Sequence, residues 1–324
     1  MTTTPQATVA TPSTPAQRST TGGKRKKLRR LTGRDKLVLG LMVGIPTLIE
    51  LLLVWGPALF SVLLGFTDAR TDIDQPGGVN WAGLDNYEFI TGEYPPFWPA
   101  VWHNVIWLVF LAVLATPLGL FIAVLLDQNL RGSRVYQSIF FVPVMLSLAL
   151  VGIIWHLIYS PDGGLLNSVL GTAGTEDQID WFGDSSINLW AALVAASWKH
   201  VGYIMILYLA GLKGVDPSLR EAAQIDGANA VQTFFRVVFP AMRPINIVVV
   251  VITVIEALRA FDIVYVINRG TNGLELLSAL VVQNLVGEGT QIGVGAAIAT
   301  VLLVISLVPI VTYLWQTFRK EEER

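Results

Sequence analysis

Charge is missing from long tracts of this 324-residue chain, and no other feature restricts its fold as strongly. Charged residues make up 14% of the sequence, against about 25% in ordinary soluble domains. Six apolar stretches carry few or no charges: 37–66, 100–126, 136–159, 188–212, 244–267 and 291–317. A helix rises about 1.5 Å per residue, so about 20 apolar residues cross the hydrocarbon of a bilayer, and each stretch qualifies. Pro46 and Pro57 give the long first stretch places to kink. The run 274–286 is too short to cross and is expected as an interfacial or re-entrant helix. The expected fold is an all-α polytopic membrane protein with six transmembrane helices.

Charge placement sets the expected topology. Residues 1–36 form a Thr/Pro-rich tail, expected to be disordered, ending in a basic cluster that includes Lys24, Arg25, Lys26, Lys27, Arg29 and Arg30. Beside an apolar run, that cluster suits a cytosolic membrane surface rather than nucleic acid. With the N-terminus in the cytosol, the internal segments hold eighteen Lys and Arg and the external loops two, Arg70 and Arg269. The external loops also carry thirteen acids. Both termini are therefore expected to be cytoplasmic in a multi-pass protein. The expected organisation is the tail 1–36, a first crossing 37–66, a core of five crossings over 100–317, and a cytosolic tail 318–324.

Chemistry of the covalent kind finds no support. The chain has no cysteine, and its three histidines, His103, His156 and His200, lack metal-ligand spacing. Gly22-Gly-Lys24 lacks the length and the Ser/Thr of a Walker A loop. No nucleophile and base are paired, so neither an enzyme nor a resident cofactor or metal is expected.

One internal loop stands apart, the roughly thirty residues from Lys213 to Arg243. Asp216 suits an N-cap with Pro217 at the first helical position. Gly227 suits a left-handed stop, and Asn229 with Gln232 suits a capping box for a second helix. Phe234, Phe235, Val238 and Phe239 would form the apolar side of that second helix, with Pro240 ending it. The small pair Ala222 and Ala223 would let another surface approach the first helix closely.

Glu221-Ala-Ala223, then Gly227, then Val237-Val-Phe-Pro240 resembles the EAA loop of ATP-binding-cassette (ABC) importer permeases, with Val237 and Phe239 where that family has Ile and Leu. Gly83-Leu-Asp-Asn-Tyr-Glu-Phe89, Phe141-Val-Pro-Val144, Trp155 and Ser160-Pro-Asp-Gly-Gly-Leu-Leu-Asn167 resemble its carbohydrate branch. Phe261-Asp-Ile-Val-Tyr-Val-Ile267 is similar to that branch's fifth-span signature, although Asn268-Arg-Gly-Thr-Asn-Gly273 departs from the usual continuation. The resemblance extends from about residue 37 to the end and is closest to the maltose-type permease half that contacts sugar.

That resemblance implies a type I ABC importer permease fold in a prokaryotic plasma membrane. The chain would supply half of a sugar pathway that works by alternating access. Its implied partners are a second permease, two ATPase subunits that use the ATP, and an extracytoplasmic sugar-binding protein. Glu221, Ala222, Ala223, Asp226, Gly227 and Pro240 of the coupling loop 216–240 would meet the ATPases.

Charges inside a span need a partner, a cavity or a function. Glu50, Lys199, Glu256, Arg259 and Asp262 are such residues, and His200 joins them. Ala196, Lys199, His200 and Tyr203 share one face of the fourth span, and Thr253, Glu256, Ala257 and Ala260 one face of the fifth. By the resemblance these eight line the sugar path. Lys199 and Glu256 are candidates to pair across it, and Arg259 to pair with Glu256 or Asp262. A self-contained proton-coupled secondary transporter is the alternative, although no inverted repeat accompanies the loop. Trp81, Trp98, Trp102, Trp181 and Trp190 suit an external aromatic belt.

Overall fold

The computed structural model describes residues 32–70, 79–128, 131–286 and 290–322. Residues 1–31, with the tail and most of its basic cluster, lie outside the described residues. The chain divides into two units, Met1–Trp55 and Gly56–Arg324.

In the first unit, α1 (Gly33–Glu50) starts at a capping box between Thr32 and Asp35 and runs into a π-helical turn, Leu51–Trp55. The second unit opens with α2 (Gly56–Leu64), then α3 (Asp85–Gly92), α4 (Phe97–Phe110) and, after a π turn at Leu111–Ala115, α5 (Thr116–Asp127). There follow α6 (Ser133–Met145), α7 (Leu148–Ile158), α8 (Leu165–Leu170) and the long α9 (Asn188–Gly214). Next come α10 (Pro217–Ile225), α11 (Ala230–Thr233), a π turn at Phe234–Val238, and α12 (Phe239–Ala241). The chain closes with α13 (Arg243–Leu258), α14 (Phe261–Asn268), α15 (Leu277–Leu285) and α16 (Ile292–Glu322).

Four helical runs are long and apolar enough to cross a membrane: Gly33–Leu64, Phe97–Asp127, Asn188–Gly214 and Ile292–Trp315. The expected single crossing at 136–159 is instead a broken pair, α6 and α7, bent by 105°. Ser147 causes the break locally, because its hydroxyl caps α7 by accepting from the Leu150 N–H at 3.2 Å. The stretch 244–267 is also divided, with Ala260 leaving helical geometry between α13 and α14. The described helices thus give four spans, or five with the bent pair taken as one.

Each described π turn has its middle residue four positions before a proline: Leu53 before Pro57, Val113 before Pro117, Arg236 before Pro240. Proline lacks the N–H that would reach that carbonyl, and its ring crowds it. Widening the turn relieves the crowding and keeps the chain helical.

The centre of the second unit is α9, which is buried along most of its length. Gly119 of α5 lets the two helices approach until a methyl there would lie 2.9 Å from Ile204. Ala123, Leu126, Met205, Tyr208 and Val249 extend this packing. The short α15 buries its core face against the protein, with Leu277, Ala279 and Leu280 fully buried. It packs in a cluster with Ile90, Phe97, Val294 and Ile298.

Buried asparagines tie the loops. Asn167 donates to the carbonyls of Pro161 and Ile179 at 3.2 and 2.8 Å and accepts from Trp181 Nε1 at 3.1 Å. Trp181 is partly buried in a cluster with Tyr159, whereas Trp81, Trp98, Trp102 and Trp190 are exposed.

Candidate functional site

The loop after α9 folds as two short helices joined by a left-handed turn. Asp216 accepts from the Ser218 N–H at 2.9 Å, and that bond, with a second from the Ser218 side chain, holds its carboxyl below the usual carboxylate value. Gly227 takes φ +82°, where only glycine is free of steric cost. Asn229 and Gln232 form the reciprocal capping box, with bonds of 2.8 and 3.0 Å. Glu221, Ala222, Asp226, Gly227 and Pro240 are exposed. Ala223 is 8% exposed, so the close-packed face expected of the alanine pair reduces to Ala222. Pro240 does not end the second helix as expected. The π turn absorbs its missing donor and helix continues to Ala241, while Asn246 Nδ2 caps the Phe239 carbonyl at 2.9 Å. Ile225, 86% exposed, stands outward with Val231 and Phe235.

A cavity of about 260 Å³ lies between α6, α9 and α13. Lys199, His200, Tyr203 and Glu256 line it, with Val144, Ile252 and Ile255. A narrow neighbouring cleft shares Lys199, His200 and Glu256 and adds Ala196, Ala260, Trp107, Leu111, Leu148 and Ile263. Six of the eight residues named from the sequence therefore face one connected region. Thr253 and Ala257 do not line it. Ala257 is fully buried in the core, and Thr253 Oγ1 donates to the Val249 carbonyl at 2.8 Å behind the wall.

Polar contacts in this region differ from the expected charge pairs. Lys199 Nζ donates to the Leu146 carbonyl at 2.7 Å, at the open end of α6. Among the described residues no ion pair joins Lys199 to Glu256, or Arg259 to Glu256 or Asp262. Arg259 lines a separate apolar cavity of about 480 Å³ against α15 and α16. His200 is 5% exposed; its Nε2 lies 3.1 Å from Thr116 Oγ1 and 3.5 Å from Thr253 Oγ1. Its Nδ1 has no partner among the described residues. Thr116 was not named from the sequence. Its signal was the Thr-Pro step inside an apolar run, a pairing that places a π turn beside a polar side chain. With an ammonium, an imidazole, a phenol and a carboxylate around one space, the region offers hydrogen bonds to hydroxyl groups. It holds no nucleophile poised against a base.

Comparison with known proteins agrees with this architecture. Residues 115–320 match the family described as binding-protein-dependent transport system inner membrane component. The xylose/arabinose import permease protein XacH of Haloferax volcanii is 30% identical over 302 residues, covering 92% of this chain and 93% of that protein. The osmoprotective compounds uptake permease protein GgtC of Synechocystis is 33% identical, covering 82% of this chain and 94% of that protein. A solved bacterial ABC transporter that imports the acidic polysaccharide alginate contains a chain of the same fold, with a TM-score of 0.72, 21% identity and coverage of 88% of this chain and 96% of that one. A membrane-embedded importer permease subunit rather than an enzyme, the chain belongs to the binding-protein-dependent transport system inner membrane components.

Proposed function

We propose that this chain forms one half of the translocation pathway of an ATP-driven carbohydrate importer, working by alternating access. The observation that carries the reading is the exposed elbow of α10 and α11, two short helices each with its own N-cap, with Glu221, Ala222 and Ile225 turned outward. An apolar, projecting element of this kind suits the groove of a separate ATPase. Two ATPase subunits, a second permease and an extracytoplasmic sugar-binding protein complete the assembly. Glu221, Ala222, Asp226, Gly227 and Pro240 act at the ATPase contact, and Ala223 anchors it from below.

In this reading the chain crosses a prokaryotic plasma membrane six times. The broken pair α6–α7 and the divided pair α13–α14 serve as two of the crossings, and both termini lie in the cytosol. The core 100–317 holds the pathway, with 1–36 and 318–324 as cytosolic tails. Ala196, Lys199, His200, Tyr203, Glu256 and Ala260 line the path, with Thr253 and Ala257 supporting it. A carbohydrate fits the hydroxyl-binding character of that lining, and the xylose/arabinose permease is its relative in kind.

The test is reconstitution with the products of adjacent genes. ATP hydrolysis should appear only in the assembled complex and rise when sugar-loaded binding protein is added. Solute transport by the chain alone, abolished by an uncoupler, would refute the reading.

A further inference from the structure

Arg220, one residue before the exposed Glu221, points inward and bridges two helix ends. Its Nη1 lies 3.0 Å from Asp127 Oδ2, and its Nη2 donates to the Leu212 carbonyl at 3.2 Å. Asp127 is the last residue of α5, and Leu212 lies in the last turn of α9. A carboxylate at a helix C-terminus faces the negative end of the dipole and is disfavoured there. The last turn of α5 contains no basic residue to offset it. The balancing charge comes instead from α10. The Asp127 side chain is 16% exposed and that of Arg220 36%, so solvent screens this pair in part, from the guanidinium side.

Packing around the pair is loose. A cavity of about 350 Å³ separates α10 and α11 from the ends of α5 and α9, lined by Asp127, Arg220, Gln224, Thr233 and Phe234. Arg220 Nε and Thr233 Oγ1 are buried without partners among the described residues. Where side-chain packing is interrupted, the guanidinium fork makes the direct polar connection between α10 and the two long helices. From Asp127, α5 runs to Thr116, whose hydroxyl contacts His200 at the polar cavity.

We propose that Arg220 and Asp127 form a strut that passes displacement of α10 to α5, and through α5 to Thr116 and His200 at the cavity. Arg220 is thus a positioning residue for coupling, acting on the far side of α10 from the ATPase contact. The inference rests on the elbow's role as the ATPase docking element.

The test uses the full complex with its partner subunits and binding protein. Arg220→Gln and Asp127→Asn should each keep basal ATP hydrolysis and cut the component stimulated by loaded binding protein about tenfold, the scale of one charge-assisted hydrogen bond. The double variant Arg220→Asp with Asp127→Arg should recover most of the stimulation. Stimulation at the wild-type level in either single variant overturns the strut. So does a swap as uncoupled as the singles. If neither single variant assembles, the swap decides: recovered assembly and stimulation support the strut, and failure of both overturns it. A wild-type complex without stimulated hydrolysis would refute the functional reading itself, a separate result.

Discussion

Lys199 donates a 2.7 Å hydrogen bond to the carbonyl oxygen of Leu146, the residue at which α6 stops and the chain turns by 105° into α7. Backbone left open at membrane depth is costly unless protein or a water-filled cavity satisfies it. The ammonium does so, and it faces the negative end of α6. Lys199→Met should therefore destabilise the complex by about 1 kcal/mol, the scale of one net hydrogen bond at a part-buried carbonyl. Glu256→Gln, at a carboxylate without a partner among the described residues, should leave the melting temperature unchanged and raise the KM for solute. Thermal melts and uptake assays of the two variants check this; equal melting of Lys199→Met and wild type would show the bond to be incidental.

Thr116 links His200 to Thr253 through one hydroxyl, with contacts of 3.1 and 3.2 Å. Thr116→Val keeps the shape and removes the link, at a cost of about 1 kcal/mol. Thr116→Ser should restore both stability and solute affinity, measured by melts and by uptake kinetics.

The turn at Gly227 has open space where a Cβ would go, so the cost of replacing it lies in the residue's own backbone and not in a clash with neighbouring segments. A non-glycine residue at φ +82° loses about 1–2 kcal/mol, least for Asn and most for a β-branched residue. Yield of the assembled complex should fall in the order Gly, Asn, Ala, Val. An equal yield for Val would remove the left-handed turn from the assembly step.

Gly119→Ala places a methyl 2.9 Å from Ile204 and from the Val201 carbonyl. Since backbone stands on one side, the strain should cost about 1–3 kcal/mol and separate α5 from α9. Adding Ile204→Ala should recover only part of the melting temperature, because the carbonyl contact remains.

The absence of cysteine makes the chain its own background for accessibility labelling. Ser185→Cys, exposed in the loop before α9, should react with an impermeant maleimide in intact cells. Gln224→Cys on α10 should react only after permeabilisation. The reverse pattern would invert the orientation read from the Lys and Arg distribution.

Much of this molecule was already written in local chemistry. The coupling elbow came from short-range features: Asp216 and Pro217 start one helix, Gly227 ends it, and Asn229 with Gln232 starts the next. Each acts within four residues, so no distant partner is needed to read it. Four of the six apolar tracts likewise announced helical runs long and apolar enough to cross a bilayer, because length and missing charge are enough for that. Helical spacing put eight residues on two shared faces, the family resemblance pointed those faces at a path, and six of the eight line the polar cavity and its neighbouring cleft.

What tertiary structure decided were the partners. Nothing in the spacing of Lys199 and Glu256 forbids an ion pair, yet the break at Leu146 leaves a carbonyl that takes the ammonium first. Ala223 looked as free as Ala222 until folding buried it. Pro240 reads as a stop, and only the widened turn before it shows how helix continues. The same local rule fixes where helices start, but which side chain meets which open backbone group depends on segments far apart in the chain, as Arg220 and Asp127 are, and only folding brings them within hydrogen-bond reach.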